Sequence, residues 1–448
     1  MKGITLVVGL GKSGLSAARA LRALDAAFAV TDSRANPPGL AALQAECPGV
    51  PRYLGGFDPA AFASAARLLV SPGVSVRTPV IAAAAARGVP VWGDIELLAR
   101  LTQAPIAAIT GSNGKSTVTT LLGLMAERAG VRAAVGGNLG EPALDLWLRQ
   151  ERNATRPPDS YVLELSSFQL ETTHSLNARV ATVLNISPDH LDRYDGLDEY
   201  ITAKRRIFRG HGAMVVNADD PAVMAMIEPD REVRRFMLRE PGEGDFGLRQ
   251  AGGETWLACG QDRWIAASDL KISGDHNLAN ALAALAMGQV LGLQQAGMLA
   301  ALREFTGLAH RTALVLEHHG VRWFDDSKGT NVGATAAAVR GLPGPIVLIA
   351  GGEGKNQDFG PLRAALAGKA RAVVLIGRDA PLIAAALGDS VSLQSATDMD
   401  QAVATAAALA QPGDSVLLSP ACASFDMFNG YEERGAVFAA AARRLAAC

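Results

Sequence analysis

The strongest constraint in this sequence is a glycine-rich turn, TGSNGKST at residues 110–117, between a predicted strand at residues 105–110 and a predicted helix at residues 116–129. Glycines let the backbone wrap closely around an anion, and the free N–H groups of a helix start point towards it. Lys115 supplies a positive charge for the terminal phosphates, and the hydroxyl of Ser116 or Thr117 can reach a magnesium ion. The turn therefore predicts a site for the phosphate chain of a nucleotide.

This turn is shorter than the usual GxxxxGK[ST] pattern, because position 109 is Ile where the first glycine is expected. The alternative interpretation is an ordinary strand–turn–helix connection that holds no ligand.

A second glycine-rich turn, GLGKSG at residues 9–14, lies between a strand predicted at residues 4–8 and a helix predicted at residues 15–24. Asp32 ends the next predicted strand about 20 residues further on, where a dinucleotide site carries an acidic residue. Lys12 adds positive charge inside the turn. The pattern indicates a diphosphate at this helix start but not which nucleotide carries it. The alternative is tight helix–strand packing alone.

Composition excludes several classes of protein. The chain has 448 residues, about three domains at roughly 150 residues each. Hydrophobic residues make up 49%, so a folded core is expected rather than disorder. Lys and Arg total 42 against 44 Asp and Glu, so no basic field exists for nucleic acid. The apolar runs are too short to span a membrane. Four scattered cysteines, Cys47, Cys259, Cys422 and Cys448, predict no disulfide framework or zinc site and indicate a reducing cytoplasm.

Predicted strands and helices alternate along most of the chain, which indicates parallel sheets covered by helices. A second unit begins near Asp94 and a third near Leu308. Residues 230–265 are rich in charged residues and glycine and predict small antiparallel strands, whereas the polar residues 150–159 predict a loop.

Polar residues follow two predicted strands of the second unit. Glu164 ends one strand, where it is a natural Mg²⁺ ligand or, alternatively, a capping or surface acid. His190 follows the strand predicted at residues 180–186 and is a candidate for metal or phosphate binding, although a lone His is more often structural. Lys204 lies in a charged helical stretch, and this local pattern alone indicates a solvent-exposed helix face.

Three polar or small-residue loops follow predicted strands of the third unit, at residues 325–331, 351–355 and 419–426, and His310-Arg311 precedes them. Open α/β sheets bind ligands at this end of the strands. An Arg can clamp a phosphate, and the Lys in the second loop suits a carboxylate. The alternative is a set of polar loops, and Cys422 is interpreted as a buried apolar residue rather than a nucleophile.

Taken in order, these motifs resemble those of the ATP-dependent muramyl ligases of peptidoglycan synthesis, from residue 3 to about residue 440. The shortened turn at residues 110–117 is itself typical of this family and of the related folylpolyglutamate synthases. The matching segments are GLGKSG (9–14), GDIELL (93–98), TGSNGKST (110–117), GGN (136–138), LELSSFQLE (163–171), DHLDRY (189–194), SGDHNLAN (273–280), HR (310–311), DDSKGTN (325–331), GGEGK (351–355) and SPACAS (419–424).

The resemblance implies an α/β fold of three domains. Residues 1–93 would form a Rossmann-like domain for a UDP group. Residues 94–307 would form a central P-loop ATPase domain with a parallel sheet plus a small antiparallel sheet. Residues 308–448 would form a Rossmann-like domain that brings the amino acid. The implied enzyme is a cytoplasmic monomer whose domains close during turnover.

The implied reaction is an ATP-dependent ligation. The carboxylate of UDP-N-acetylmuramoyl-L-alanine attacks the γ-phosphate of ATP, and the amine of D-glutamate then displaces phosphate from the acyl-phosphate. Positioning and charge neutralisation are what phosphoryl transfer requires, and a dry site protects the acyl-phosphate from water.

The resemblance also implies roles for individual residues. The implied catalytic residues are Lys115, His190 and Lys204. Two magnesium ions would be held by Ser116, Glu164, His190 and Lys204, the last as a carbamate, which requires a neutral amine and hence burial. Implied ATP contacts are Gly111, Ser112, Asn113, Gly114, Lys115, Ser116, Thr117, Asn277, Arg311, Asp326 and Lys328. The UDP-substrate would contact Lys12, Ser13, Asp32, Ser33, Arg34, Gly73 and Asn138. The D-glutamate pocket would contain Thr330, Lys355, Ser424, Phe425 and Tyr431.

Other hypotheses remain open at this point. Phe425 and Tyr431 stand where the family pattern has a smaller aliphatic residue and a phenylalanine, so ligation of L-glutamate is an alternative. A folylpolyglutamate-type ligase would leave the N-terminal glycine-rich unit unexplained. An NAD-dependent oxidoreductase would leave residues 110–117 and 325–331 unexplained. A nucleotide-gated binding protein would hold the same ligands without catalysis.

Overall fold

Three β-sheets follow one another along the chain in the computed structural model, which describes residues 3–153 and 155–447. Cys448 and Ala154, named in the predictions above as a scattered cysteine and as part of the loop at residues 150–159, lie outside these residues. Cys47, Cys259 and Cys422 are free thiols.

The first sheet is entirely parallel, with strand order β3-β2-β1-β4-β5. This is the order of a Rossmann-like domain, and its strand order reverses between β1 and β4. The elements are β1 (Thr5–Val8), α1 (Lys12–Ala23), β2 (Phe28–Asp32), α2 (Leu40–Glu46), β3 (Arg52–Leu54), α3 (Pro59–Ser64), β4 (Arg67–Val70), α4 (Pro79–Ala86) and β5 (Val91–Trp92).

The second sheet has nine strands in the order β14-β13-β12-β11-β10-β9-β6-β8-β7. Its elements are α5 (Asp94–Leu101), β6 (Ile106–Thr110), α6 (Lys115–Arg128), β7 (Ala133–Gly137), α7 (Ala143–Trp147), β8 (Ser160–Glu164), α8 (Ser167–Glu171), β9 (Val180–Val183), α9 (Leu197–Arg205), β10 (Ala213–Asn217), α10 (Pro221–Met224), β11 (Val233–Phe236), β12 (Phe246–Ala251), β13 (Glu254–Cys259), β14 (Asp262–Ala266), α11 (Asp275–Val290) and α12 (Gln295–Glu304). Short π- and 3₁₀-helical turns occupy Leu148–Arg152, Arg206–Phe208 and Ala267–Asp269.

The third sheet has the order β15-β16-β20-β17-β18-β19, and all its pairs are parallel except β15 with β16. Its elements are β15 (Ala313–His318), β16 (Val321–Asp325), α13 (Val332–Gly341), β17 (Ile346–Gly351), α14 (Gly360–Leu366), β18 (Ala370–Ile376), α15 (Ala380–Leu387), β19 (Ser392–Ser395), α16 (Met399–Leu409), β20 (Ser415–Leu418) and α17 (Tyr431–Ala447). A 3₁₀ turn occupies Gly388–Ser390.

The predicted α/β fold class is confirmed, and four details differ from the sequence interpretation. The antiparallel strands β12–β14 are present, but they extend the parallel sheet instead of forming a separate one. Strand β11, inside the segment predicted as antiparallel, pairs parallel to β10, because the crossover through α10 returns the chain in the same direction. Strand β9 ends at Val183 rather than residue 186, and residues 150–152 of the predicted loop belong to a π-helical turn.

One apolar core joins the first two sheets. Leu21 on α1, Ile95 on α5, Leu144 on α7 and Leu163 on β8 belong to a single cluster of buried side chains. Arg19 on α1 also donates to Asp145 on α7 at 3.2 Å. Burial of shared apolar surface stabilises the relative placement of the two domains.

The turn between β1 and α1 generates the first testable prediction. A Cβ on Gly14 would overlap the carbonyl oxygen of Gly9, whereas a Cβ on Gly11 would meet nothing within 4 Å. We therefore expect Gly14→Ala to destabilise the protein by about 2 kcal/mol or more. Thermal and urea unfolding measure the effect. Gly11→Ala is the matched control and should leave the unfolding midpoint unchanged; equal midpoints for both variants would contradict the close packing of this turn.

Candidate active site

Three neighbouring cavities open at the carboxyl ends of the parallel strands, where ligands bind in such sheets. The first, of about 360 Å³, lies between the turn after β6, the start of α11 and the third domain. Among the residues that line it are Asn113, Gly114, Thr117, Asn277, Arg311, Asp326 and Lys328.

The turn at residues 111–114 is held by the segment that follows strand β9. Gly114 has φ 83°, a left-handed conformation that glycine adopts without strain. The Ser112 amide donates to the carbonyl of Asn185 at 2.9 Å, and the Asn113 amide donates to the Asn185 side chain at 2.9 Å. Bonds within the protein thus hold the shape of the turn.

Lys115 and Lys204 converge on one carbonyl oxygen of this turn. The Lys115 ammonium donates to the carbonyls of Gly111 at 2.8 Å and Ser112 at 2.9 Å. The Lys204 side chain, 1% exposed, donates to the same Gly111 carbonyl at 2.9 Å and lies over the Tyr200 ring. Burial lowers the pKa of Lys115. Burial, and next the charge of Lys115, hold the pKa of Lys204 well below its usual value.

The third domain contacts this turn through polar side chains. Arg311 donates to the Ser116 hydroxyl at 2.7 Å, and Asn331 donates to the Asn113 side chain at 3.1 Å. Lys355 lies 3.7 Å from the carboxylate of Asp189. These contacts bring two sheets together around the end of β6.

Asp326 and Lys328 follow the carboxyl end of strand β16, and both have shifted pKa values. Burial raises the pKa of Asp326 to about 7, although its carboxylate accepts from Ser419 at 2.6 Å and from the Thr312 amide at 3.1 Å. Burial lowers the pKa of Lys328 to about 8, and its ammonium lies 3.7 Å from the centre of the Tyr431 ring. Both groups therefore titrate near neutral pH.

The second cavity, of about 460 Å³, brings together residues from all three implied ligand groups. Its lining includes Ser112, Asn113, Gly114, Lys115, Ser116, Asn138, Glu164, His190, Lys204, Arg311, Lys328, Thr330, Lys355, Ser424, Phe425 and Tyr431. Ser424 is buried, whereas Phe425 is 71% exposed at the cavity mouth.

Glu164 and His190 give this cavity the character of a cation site. The Glu164 Oε1 atom accepts from Asn138 at 2.7 Å, but its buried Oε2 atom has no hydrogen-bond partner. A buried carboxylate oxygen without a partner is costly unless a cation or a ligand satisfies it. Burial lowers the pKa of His190 to about 4, so its ring is neutral at pH 7 and able to coordinate a metal. The residues present therefore fit a magnesium ion.

The third cavity, of about 710 Å³, lies over the carboxyl ends of β1, β2 and β4. Its lining includes Lys12, Ser13, Asp32, Ser33, Arg34, Gly73, Asn138, Ser116 and Glu164. Since Ser116, Asn138 and Glu164 line both this cavity and the second, a ligand that fills the third cavity can reach the second.

Asp32 is fully engaged by the protein. One of its oxygens accepts from the Arg34 amide at 2.9 Å and the Arg34 Nε at 2.9 Å. The other accepts from the Leu10 amide and an Arg34 guanidinium nitrogen, each at 2.7 Å. A carboxylate offers about four lone-pair sites, so Asp32 has none left for a ribose diol. Its geometry therefore argues against the NAD-type role that the pattern around residues 9–14 permits.

All the residues implied by the resemblance except Gly111 line at least one of the three cavities. Gly111 contributes through its carbonyl, which accepts from both lysines. Sequence analysis assigned no role to several residues that the structure places in the site: Asp189, Thr312, Asn331 and Ser419. Asn331, Ser419 and Asp189 lie within the motifs quoted above. Their position in those motifs is the only sequence signal that could have identified them.

Three α/β domains whose cavities meet at a P-loop define a nucleotide-dependent enzyme that brings several substrates to one centre. Comparison with known sequences agrees domain by domain. Residues 4–93 match the Mur ligase MurD-like N-terminal domain, residues 109–288 the Mur ligase middle domain, and residues 310–422 the Mur ligase glutamate ligase domain. This chain belongs to the Mur ligase family.

Other proteins are similar to this chain over nearly its whole length. Proteins named UDP-N-acetylmuramoylalanine–D-glutamate ligase from Nitrosococcus oceani and Pseudomonas aeruginosa are each 54% identical; the alignments cover 99% and 98% of this chain and 97% and 98% of those proteins. Among solved structures, UDP-N-acetylmuramate-alanine ligase from Thermotoga maritima has a TM-score of 0.61 at 18% identity, covering 100% of both chains. MurF ligase from the same organism, in complex with ADP, has a TM-score of 0.61 at 17% identity, covering 99% of this chain and 96% of that one. These two show a shared fold.

Within the part of the chain that the structure describes, no helix combines the length and apolar character needed to cross a membrane.

The Asp32 cluster generates a prediction about pH. Burial alone would raise the pKa of Asp32, but Arg34 and the two amides outweigh it and hold the pKa at about 2. Because this is below the value of an unfolded Asp, the carboxylate stabilises the fold above about pH 4, by about 2 kcal/mol, and this contribution is lost as the pH falls towards 2. We expect Asp32→Asn to lower the free energy of unfolding by at least that amount at pH 7, with a smaller difference at pH 3. Urea unfolding at both values measures it. The exposed Asp25→Asn is the control, and a cost for Asp32→Asn that does not depend on pH would contradict the assignment.

Proposed function

We propose that this protein is an ATP-dependent ligase that joins D-glutamate to UDP-N-acetylmuramoyl-L-alanine in the cytoplasmic synthesis of peptidoglycan precursors. The observation that carries the proposal is the meeting of three cavities, all of them lined by Lys328, around the glycine-rich turn at residues 110–117. The chain that forms them is 54% identical over nearly its whole length to proteins named for this reaction. We further propose that it acts as a monomer with domains at residues 1–93, 94–307 and 308–448.

ATP would occupy the first cavity. The adenosine would lie beside Asn277, and the phosphates would follow the turn at residues 111–117 towards Lys115. Asp326 and Lys328 would contact the nucleotide from the third domain. Arg311, which donates to Ser116 at 2.7 Å, would exchange this bond for a phosphate oxygen, to which a guanidinium binds more strongly.

The UDP group would occupy the third cavity. Lys12, Ser13 and the amides at the start of α1 would bind the diphosphate. Arg34, fixed by Asp32, would face the nucleotide with Ser33 and Gly73. The sugar and its alanine carboxylate would then extend past Asn138 to the γ-phosphate.

Two magnesium ions would lie in the second cavity. Ser116, Glu164, His190 and a carbamate on Lys204 would hold them, and the ions would neutralise the charge that develops during phosphoryl transfer. Because Lys204 and Lys115 share one carbonyl, the neutral amine that a carbamate needs is favoured at Lys204, the more deeply buried of the two.

The chemistry proceeds in two displacements. A carboxylate oxygen of UDP-N-acetylmuramoyl-L-alanine attacks the γ-phosphorus, and ADP leaves. The amine of D-glutamate, after losing a proton, then attacks the acyl carbon, and inorganic phosphate leaves with the oxygen that the carboxylate contributed. Thr330, Lys355, Ser424, Phe425 and Tyr431 would position D-glutamate. Lys115 stabilises charge on the transferred phosphoryl group.

Phosphate release tests the function directly. ATP, Mg²⁺ and UDP-N-acetylmuramoyl-L-alanine should give phosphate with D-glutamate and background rates with L-glutamate. Lys115→Ala should fall to background while the fold stays intact, and the exposed Lys271→Ala should retain activity. Phosphate release with L-glutamate alone would show that the enzyme ligates L-glutamate, and it would implicate Phe425 and Tyr431 in that specificity. Phosphate release without any UDP-substrate would contradict the proposal.

The carbamate on Lys204 makes a separate prediction. Lys204→Ala should lose activity by on the order of 100-fold or more, because a group that stabilises the transition state is removed. Acetate or formate should partly restore phosphate release, since a free carboxylate can occupy the emptied space. Lys204→Arg is the matched variant: its side chain fills that space, so no rescue is expected. Full activity of Lys204→Ala without added acid would remove Lys204 from the site.

A further inference from the structure

Arg193 crosses the boundary between the first two domains. Its guanidinium donates to the carbonyl of Pro72 at 3.3 Å and to that of Val74 at 3.5 Å, both in the loop that lines the third cavity. It also donates to Glu171 at the end of α8, at 2.8 Å. The Arg193 and Glu171 side chains are only 14% and 11% exposed, so this pair is screened less than a surface ion pair.

Arg193 also contacts Phe168, an aromatic residue that lines the second cavity. Its guanidinium lies 4.4 Å from the centre of the Phe168 ring. The Phe168 ring in turn lies 4.8 Å from the His190 ring, at 61°. The Arg193 amide also donates to the His190 carbonyl at 2.9 Å, within the turn where His190 adopts φ 56°. One side chain thus touches the loop of one cavity and the ring that packs on His190 in the next.

The kinds of partner that Arg193 has indicate more than a structural tie. An ion pair with Glu171 needs only a charge, which a lysine supplies equally well. Binding two carbonyls and stacking on a ring at the same time requires the planar, multivalent guanidinium. Carbonyls of a loop move with that loop, and a rigid guanidinium transmits such movement to the ring on which it stacks.

We propose that Arg193 is a positioning residue that couples the loop at residues 71–74 to the His190 ring through Phe168, so that filling the third cavity orients His190. The proposal rests on the proposed function in one respect, that the third cavity accepts a uridine diphosphate group. Coupling of this kind would tie the arrangement of the metal site to the presence of the UDP-substrate and discourage ATP hydrolysis without it.

A second arginine at the same boundary provides a matched control. Arg77, which follows the same loop, pairs with Asp195 at 2.8 Å and with Glu199. Its side chain is 47% exposed, and exposed ion pairs contribute little. Within the described residues, Arg77 makes no contact with the ring of Phe168 or of His190, so Arg77→Ala disturbs the boundary without the proposed coupling.

The first measurement follows the His190 ring without turnover. Ring signals of histidine-labelled protein, assigned with His190→Gln, are recorded at constant pH while UDP alone is added. We expect UDP to shift the His190 signal in the wild type and in Arg77→Ala. The shift should fall several-fold in Arg193→Lys, which keeps the charge opposite Glu171. Phe168→Leu should reduce the UDP-induced shift in the same way while Arg193 retains its carbonyl partners. If Arg193→Lys does not fold, Phe168→Leu provides the test of the coupling.

Steady-state kinetics complete the test. Arg193→Lys should raise KM for the UDP-substrate and lower kcat together, with KM for ATP unchanged, whereas Arg77→Ala should leave kcat unchanged. A folded Arg193→Lys that keeps the full UDP-induced shift would overturn the coupling, as would a raised KM with unchanged kcat. Failure of the wild type to bind UDP would instead overturn the proposed function, and the coupling with it.

Discussion

Two lysine ammonium groups, of the buried Lys204 and the half-buried Lys115, donate to one carbonyl oxygen, that of Gly111, and the site is organised around this arrangement. Like charges in a desolvated place disfavour one another, so the pair is stable only if one amine loses its charge or negative groups arrive. Of the two lysines, Lys204 has the pKa that burial holds well below its usual value. Glu164, which lines the same cavity, has one carboxylate oxygen without a hydrogen-bond partner. The site therefore holds positive charge that polyphosphate can neutralise and a carboxylate oxygen that a metal can bind.

The sheets explain how such groups come together from distant parts of the chain. Strands β6, β8 and β9 are parallel neighbours, so Lys115, Glu164 and the loop carrying His190 emerge at the same edge. The first domain shares an apolar core with the second, whereas the third domain meets the P-loop through polar bonds such as Arg311 to Ser116. Polar contacts exchange with water at lower cost than apolar ones, so domain movement is expected at the second boundary rather than at the first.

Local sequence predicted the parts of this structure that local interactions determine. The turns at residues 9–14 and 110–117 lie between strand and helix as expected, because glycines and apolar periodicity specify them within about a dozen residues. The parallel pairing of β11 and the continuity of the nine-stranded sheet depend on a crossover and on pairing between distant segments, which no short pattern encodes. The charged residues around Lys204 likewise do not predict that its side chain is buried. They indicate a solvated face, and only the family resemblance placed Lys204 in the site. The contacts of Asp189 with Lys355 and of Asn331 with Asn113 join residues from different domains, so spacing could not have revealed them.

The central claim is that a substrate carboxylate, rather than water, receives the γ-phosphoryl group at this site. The most direct test is the fate of that carboxylate's oxygen. With UDP-N-acetylmuramoyl-L-alanine labelled with ¹⁸O in its carboxylate, ligation of D-glutamate should place one labelled oxygen in each inorganic phosphate, since the acyl-phosphate carries it there. Peptide product accompanied by unlabelled phosphate would contradict the account.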